Sequence, residues 1–138
     1  MTMQLRAALR NLVITPFGAD LDGIYDGFLK IYSGSPPAAV TDAATGTLLL
    51  DGSVPVSPLT APSGGSMSIN NAGSWGGTAG GTGIAGYFRI IDSGGTGVVM
   101  QGTVTATGGG GDMTIDNTDI RPGQAVAVTT FTITAAGA

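Results

Sequence analysis

Residues 86–104, GYFRIIDSGGTGVVMQGTV, decide the fold class of this chain. Residues 86–91 and 97–104 are rich in aromatic and β-branched side chains, which favour strands. Residues 92–95, Asp-Ser-Gly-Gly, lie between them and have the composition of a tight turn. The stretch therefore predicts an antiparallel β-hairpin.

Short segments of similar composition occur on both sides of the hairpin. Residues 28–32 alternate, which places Phe28, Lys30 and Tyr32 on one face of a strand. Residues 48–50 are three consecutive leucines, a run typical of a strand that is covered on both faces. Further short strands are predicted at residues 66–70 and 113–116.

The last predicted strand, residues 125–134 (AVAVTTFTIT), alternates with a change of parity at Thr129 and Thr130. A shift of one residue reverses the buried face, so we expect a β-bulge near Thr129. With about seven or eight short strands separated by turns, the chain is predicted to be all-β. The expected architecture is an antiparallel β-sandwich, jelly-roll-like, over residues 27–138.

The N-terminal part differs from the rest. Over residues 3–14, Leu5 and Leu9 lie on an apolar stripe with helical spacing, which predicts a short amphipathic helix. Thr15-Pro16 ends it, because the residue before proline avoids the α region. An isolated helix this short is unstable and must pack on its own domain or on a neighbour. Residues 1–138 are interpreted as a single domain.

The composition argues against catalysis. The chain contains no His, no Cys and no Glu, and its acids are nine Asp. Histidine is the side chain whose usual pKa suits proton transfer near neutrality. His, Cys and Glu also supply most acid–base and transition-metal sites. We therefore expect no enzymatic activity, no catalytic residues and no cofactor, and we interpret the chain as a structural or binding protein.

The charge content points to protein partners. Only 10% of the residues are charged, and the net charge is −4, whereas soluble domains usually have about 25% charged residues. A surface of Thr, Ser, Gly and backbone loses its water at low cost, which favours contact with other proteins. Five scattered cations make no patch for a phosphate backbone, so no nucleic acid is expected. No membrane partner is expected either, because no segment approaches the ~20 apolar residues of a membrane span.

Two groups of aspartates are candidates for a metal or catalytic site. Asp20, Asp22 and Asp26 have a spacing that is only partly like a calcium loop, and the bidentate Glu is missing. The second group, Asp112, Asp116 and Asp119, is better interpreted as turn and strand-end residues than as paired acids. The prediction is that the chain holds no metal.

Four residues are candidates for a partner interface: Leu5, Leu9, Trp75 and Arg89. Trp75 stands alone in a loop-like, glycine-rich stretch over residues 71–86. It is either an exposed anchor for a partner, since Trp is enriched at interfaces, or a cover over the edge of its own core. Arg89 alternates with apolar neighbours in the hairpin, and it is either a solvated charge or part of an ion pair between subunits.

Three segments resemble a known family: residues 28–50, residues 83–104 and residues 110–134. Together they are similar to small virion proteins of tailed bacteriophages, of the capsid decoration (cement) type. The resemblance covers most of the chain and is weakest in the proline-rich residues 55–65. It rests on strand and turn sequences rather than on catalytic motifs, so it transfers no catalytic residue.

The resemblance implies a role and a location. The expected function is to bind the outer surface of the phage head and to stabilise it through repeated contacts. The implied partners are the major capsid protein and further copies of the chain, as a dimer or trimer, and the implied location is the exterior of the capsid. The alternative is a tail or fibre module that binds a host glycan, with Trp75 and Tyr25 stacking on sugar.

Overall fold

The structure is a computed structural model, and it describes residues 27–54, 59–61, 63–69, 75–92, 94–95 and 97–134. This part of the chain is all-β, as predicted, and contains no helix. The helix expected at residues 3–14 lies outside the described residues. Within those residues, no helix is long and apolar enough to span a membrane. The strands are β1 Phe28–Ser33, β2 Leu48–Ser53, β3 Ser66–Ser68, β4 Gly76–Thr78, β5 Gly83–Ile91, β6 Val98–Ala106, β7 Met113–Ile115, β8 Asp119–Ile120 and β9 Ala125–Thr134.

Seven of these strands close into a β-barrel. The order around the barrel is β1-β2-β4-β9-β7-β6-β5, and β5 pairs with β1 to complete the ring. β3 adds to β9, and β8 adds to β5. The predicted two-layer sandwich is therefore not confirmed. The physical reason is that β1 has a partner on each side, so the sheet bends round on itself instead of ending at a free edge.

β-bulges help the sheet to curve. The pairing of β7 with β9 shifts register between Thr114 and Ile115, so that Thr129 is the extra residue, as predicted. A second shift, between β1 and β2, leaves Leu49 as the extra residue. Leu49 and Leu50 are consequently both buried, whereas Leu48 is 39% exposed. The expectation that both faces of residues 48–50 are covered is therefore wrong for Leu48.

The predicted hairpin is confirmed, because β5 and β6 pair antiparallel. Two short strands are absent from the sequence prediction: β8, and β4, which lies in the glycine-rich stretch interpreted as loop-like. Gly76 explains the second case, since its φ is +126° and a Cβ there would lie 2.1 Å from the carbonyl oxygen of Val126. Only glycine lets β4 fit between β2 and β9, a tertiary requirement that strand propensity does not reveal.

The core fills the inside of the barrel. Leu29, Ile31, Leu50, Phe88, Ile90, Met113, Ile115, Ile120 and Val128 are all at most 2% exposed. Phe131 lies between two aromatic rings, with ring centroids 5.7 Å from Trp75 and 5.4 Å from Phe88. Such tilted and edge-on contacts add to the free energy gained by burial. The barrel is therefore a packed support, and any contact with a partner takes place on its outside.

Candidate contact surface

Three rows of side chains cross the outside of four neighbouring strands, β6, β5, β1 and β2. The pairing registers define them. The first row is Val98, Ile91, Phe28 and Ser53; the second is Gln101, Arg89, Lys30 and Asp51; the third is Thr103, Tyr87, Tyr32 and Leu48. The first row is mainly apolar, the second is the charged row with three charged side chains, and the third has two tyrosines at its centre. The two halves of this surface have different environments.

A long connection covers the half that belongs to β5 and β6. Residues 34–47, which we call the crossing loop, join the paired strands β1 and β2. Hairpin connections usually need only about 2–5 residues. Tyr87 OH donates to the Thr45 carbonyl at 2.6 Å and accepts from the Thr45 N–H at 2.9 Å. Gln101 Nε2 donates to the Pro37 carbonyl at 2.8 Å.

Arg89 is the centre of this attachment. Its Nη2 donates to the Asp42 carbonyl of the crossing loop at 2.8 Å, and its Nε donates to Gln101 Oε1 at 3.1 Å. The residue is only 4% exposed. Neither sequence interpretation, a solvated charge or an inter-subunit ion pair, describes this arrangement. Arg89 holds a loop of its own chain, because a buried guanidinium has to find hydrogen-bond acceptors within the domain.

The other half of the surface is open. We call it the open face and define it by Phe28, Lys30, Tyr32, Leu48 and Asp51. Phe28 is 38% exposed and Leu48 is 39% exposed, so two large apolar side chains of this surface are in contact with solvent. Lys30 Nζ lies 3.6 Å from Asp51 Oδ2 between them. The open face therefore combines two apolar ends with a central pair of opposite charges.

Two shallow depressions adjoin on the open face, and both are lined by Phe28 and Asp51. One, of about 380 Å³, is completed by Gly52, Ser53, Gly76 and Gly77. The other, of about 220 Å³, is completed by Lys30 and Gly95. Glycines form much of the first depression, so little side-chain volume fills it. On the open face, the aromatic ring of Phe28 thus stands beside a shallow depression. This shape is suited to contact with another protein surface rather than to enclosing a small molecule.

Tyr32 lies at the boundary between the two halves. Its ring stacks on that of Tyr87, with centroids 5.0 Å apart and planes 11° from parallel. Burial raises the pKa of the Tyr32 phenol above its ordinary value, and the neighbouring Tyr87 and Asp51 raise it further, while Arg89 acts in the opposite direction. Tyr32 thus stays protonated to higher pH than an exposed tyrosine.

A different part of the barrel presents hydroxyl groups without any charge. β3, β7 and β9 contain no charged residue. Their outward hydroxyls bond to each other: Ser66 to Thr134 at 2.9 Å, Ser68 to Thr132 at 3.2 Å, and Thr114 to Thr130 at 2.6 Å. We call these six residues the hydroxyl face; Thr114 is only 5% exposed, so the other five form its exposed surface. Because its polar groups already have protein partners, covering it with another surface leaves few of them unsatisfied.

Of the four predicted interface residues the structure describes two, Trp75 and Arg89, and neither belongs to the open face. Leu5 and Leu9 lie outside the described residues. Trp75 is 1% exposed and belongs to the core cluster. Of its two sequence interpretations, burial favours the cover over the domain's own core. Arg89 is buried under the crossing loop, so neither Trp75 nor Arg89 offers its side chain to a partner in this conformation.

Asp112 and Asp116, two members of the second aspartate group, accept hydrogen bonds within the domain. Asp112 Oδ2 accepts from the backbone N–H and the hydroxyl of Thr103, both at 2.9 Å. Asp116 Oδ1 accepts from the backbone N–H groups of Asn117 at 3.0 Å and Ala127 at 3.3 Å. No group of three or more acidic side chains among the described residues could hold a metal ion. Asp20, Asp22 and Asp26 lie outside the described part of the chain.

Comparison of the chain with protein-family models, with curated proteins and with solved structures gives no match in any of the three. The interpretation of the surface therefore rests on its residues. Sequence reasoning placed Phe28, Lys30 and Tyr32 on one face of a strand but assigned them no function. Alternation reveals which side chains share a face, but it does not reveal whether a distant loop covers that face.

Proposed function

We propose that this chain is a virion structural protein of a tailed bacteriophage that binds the outer surface of the head as a decoration protein. The observation that carries the proposal is the hydroxyl face, an uncharged surface whose hydroxyls bond to each other on a closed barrel. Such a surface suits a contact that is made many times. Each copy loses little free energy when its surface is desolvated, and the same contact is repeated over the whole shell. The resemblance of three chain segments to decoration proteins supports the same role.

In this proposal the protein stabilises the head through its mechanical stiffness. A barrel in which every strand of the ring has two partners resists deformation, and it can bridge neighbouring major capsid protein subunits without changing its own structure. Each contact contributes modestly, and the number of copies stabilises the shell against internal pressure. The proposal includes no catalytic step, no cofactor and no metal.

The proposal is tested by mixing the purified protein with emptied, expanded phage heads. We expect it to sediment with the heads and to raise their melting temperature. The variant Thr132→Lys puts a charge on the hydroxyl face, and we expect it to weaken binding about tenfold or more. The matched control Thr41→Lys adds the same charge to an exposed position of the crossing loop and is expected to bind as the wild type does.

Two outcomes would contradict the proposal. Failure of the wild-type protein to bind heads or to raise their melting temperature removes the mechanism. Electron cryomicroscopy density on the tail alone would favour the alternative, a glycan-binding tail module. The burial of Trp75 weighs against that alternative, because a side chain that is 1% exposed cannot stack on a sugar without leaving the core.

A further inference from the structure

We propose that two copies of this chain pair through their open faces, around a two-fold axis that runs parallel to β1 and β2 and midway between them. Rotation about this axis places β1 of one copy over β2 of the other and keeps each row of side chains at the same height. Phe28 then faces the partner's Ser53, Lys30 faces the partner's Asp51, and Tyr32 faces the partner's Leu48. The inference concerns the free protein and stands apart from binding to the head.

Charge selects this axis. Lys30 and Asp51 are paired across β1 and β2 within each copy, so the open face carries one positive and one negative group side by side. With the axis parallel to the strands, each charge meets its opposite in the other copy. An axis perpendicular to the strands would instead place Lys30 on Lys30 and Asp51 on Asp51, and like charges face to face are unfavourable. The face is self-complementary in only the first arrangement.

Shape selects the same axis. Phe28 stands 38% exposed at one end of the face. In the proposed pair it lies over the partner's Ser53, which lines the depression of about 380 Å³ together with Gly52, Gly76 and Gly77. The ring of each copy thus enters the glycine-lined hollow of the other. Aromatic side chains that fill pockets are typical anchors of protein interfaces.

The size of the face sets the expected strength. Two strands of six residues, about 20 Å long and about 5 Å apart, give a contact of roughly a few hundred Å² on each copy, which is smaller than a standard specific interface. Interfaces of this size form weak or transient complexes, and we expect the dimer to be populated at roughly 100 μM protein. On a shell, where copies are held close together, the same contact would be occupied more fully.

The experiment uses two full-length charge variants and sedimentation velocity at about 300 μM. Lys30→Asp makes the face doubly negative, and Asp51→Lys makes it doubly positive. We expect each variant alone to lose the dimer, with a fall of about fivefold or more in dimer fraction. When the two variants are mixed, the negative face meets the positive face. We expect a mixed dimer at least as abundant as the wild-type dimer, identified by native mass spectrometry.

The chain provides a matched control. Asp119 and Arg121, on β8 and directly after it, form another exposed ion pair, at 3.8 Å, and neither is among the residues that define the open face. Asp119→Lys and Arg121→Asp make the same charge changes, and we expect both variants to dimerise as the wild type does. Circular dichroism checks that each variant is folded. Phe28→Ser, which removes the anchor without changing charge, provides a second route if a charge variant does not fold.

Three results would overturn the inference. A wild-type protein that is monomeric at 300 μM leaves the open face to another occupant. A dimer that persists in both single variants shows that copies meet through a different surface. Charge variants that lose the dimer but form no mixed dimer show that charge complementarity is not its basis. Because none of these measurements involves heads, failure here leaves head binding as a separate question.

Discussion

β5 and β1 are neighbours in the same barrel wall, yet their outer surfaces differ. On β5, the crossing loop covers Arg89 and Tyr87, and both side chains donate hydrogen bonds to carbonyl oxygens of that loop. On β1, Phe28 and Lys30 face outward, and no loop in the described part of the chain covers them in this way. The comparison shows that strand alternation assigns side chains to the outside, while a loop from elsewhere decides which of them can meet a partner.

The largest effect is expected from releasing one end of the crossing loop. Gly46 has a φ of +74°, and a Cβ there would lie 2.1 Å from the Ser33 carbonyl oxygen. We expect Gly46→Ala to lower the free energy of unfolding by about 3 kcal/mol, because the loop end must shift as well as accept a strained φ. Urea denaturation measures this change.

Gly34, at the other end of the crossing loop, is the matched control. Its φ is +85°, but a Cβ there meets nothing within 4 Å. Gly34→Ala is expected to cost only about 1 kcal/mol, from backbone strain alone. Equal losses for the two variants would show that contact with Ser33 does not hold the loop end in place.

Arg89 and Lys30, the two cations of the charged row, are expected to contribute differently to the free energy of unfolding. Arg89→Met leaves Gln101 Oε1 and the Asp42 carbonyl without their donor, although it also removes the desolvation cost of a buried charge. We expect a net loss of about 2 kcal/mol in the free energy of unfolding. Lys30→Met breaks only the partly exposed pair with Asp51, so its effect is expected to stay within about 0.5 kcal/mol.

Proteolysis of the same two variants gives an independent readout. The crossing loop of Arg89→Met should be cleaved faster than that of the wild type, whereas Lys30→Met should match the wild type. Losses of similar size in both variants, or equal cleavage, would contradict the distinction between a covered and an open half.

The smallest effect concerns Tyr32, at the boundary of the two halves. Its pKa is raised by burial above the usual value of 10.0. The folded state therefore holds the phenol proton more tightly than the unfolded state. The resulting stability is fully present below the unfolded pKa and is lost as pH rises through the folded one.

Tyr32→Phe removes this dependence. Between about pH 9 and pH 11 we expect the unfolding free energy of the wild type to fall more steeply than that of the variant, by only about 0.5 kcal/mol or less, because water screens a phenol that is still partly exposed. Absorbance at the phenolate band should show one fewer late-titrating tyrosine in the variant. Parallel pH profiles for the two proteins would contradict the assigned environment of Tyr32.

Much of the fold could be predicted from local sequence. The hairpin of β5 and β6 and the bulge at Thr129 follow from composition and parity, and the structure confirms both. Closure of the barrel could not be predicted in this way. Closure requires β1 to pair with two strands, and it requires a glycine at position 76 so that β4 can fit between β2 and β9. Both are long-range contacts that the local sequence does not reveal.

The candidate surface was predictable only in part. The shared face of Phe28, Lys30 and Tyr32 follows from alternation, but its exposure does not. Trp75 and Arg89 are candidates for an interface from their local sequence alone, and in the structure both side chains are buried. Leu48 was expected to be covered because it belongs to an apolar run, and the bulge at Leu49 instead leaves it exposed.

Hydroxyl-radical footprinting at increasing protein concentration tests the central claim most directly, because it reads exposed side chains one by one. The claim is that the open half of this surface meets a second copy while the covered half serves its own loop. We expect oxidation of Phe28 and Leu48 to fall together between about 5 μM and 300 μM. Ile84, which is 61% exposed beside β8, should stay equally reactive, and Tyr87 should be protected throughout. Constant reactivity of Phe28 and Leu48, with protection appearing at Ile84 instead, would contradict the account.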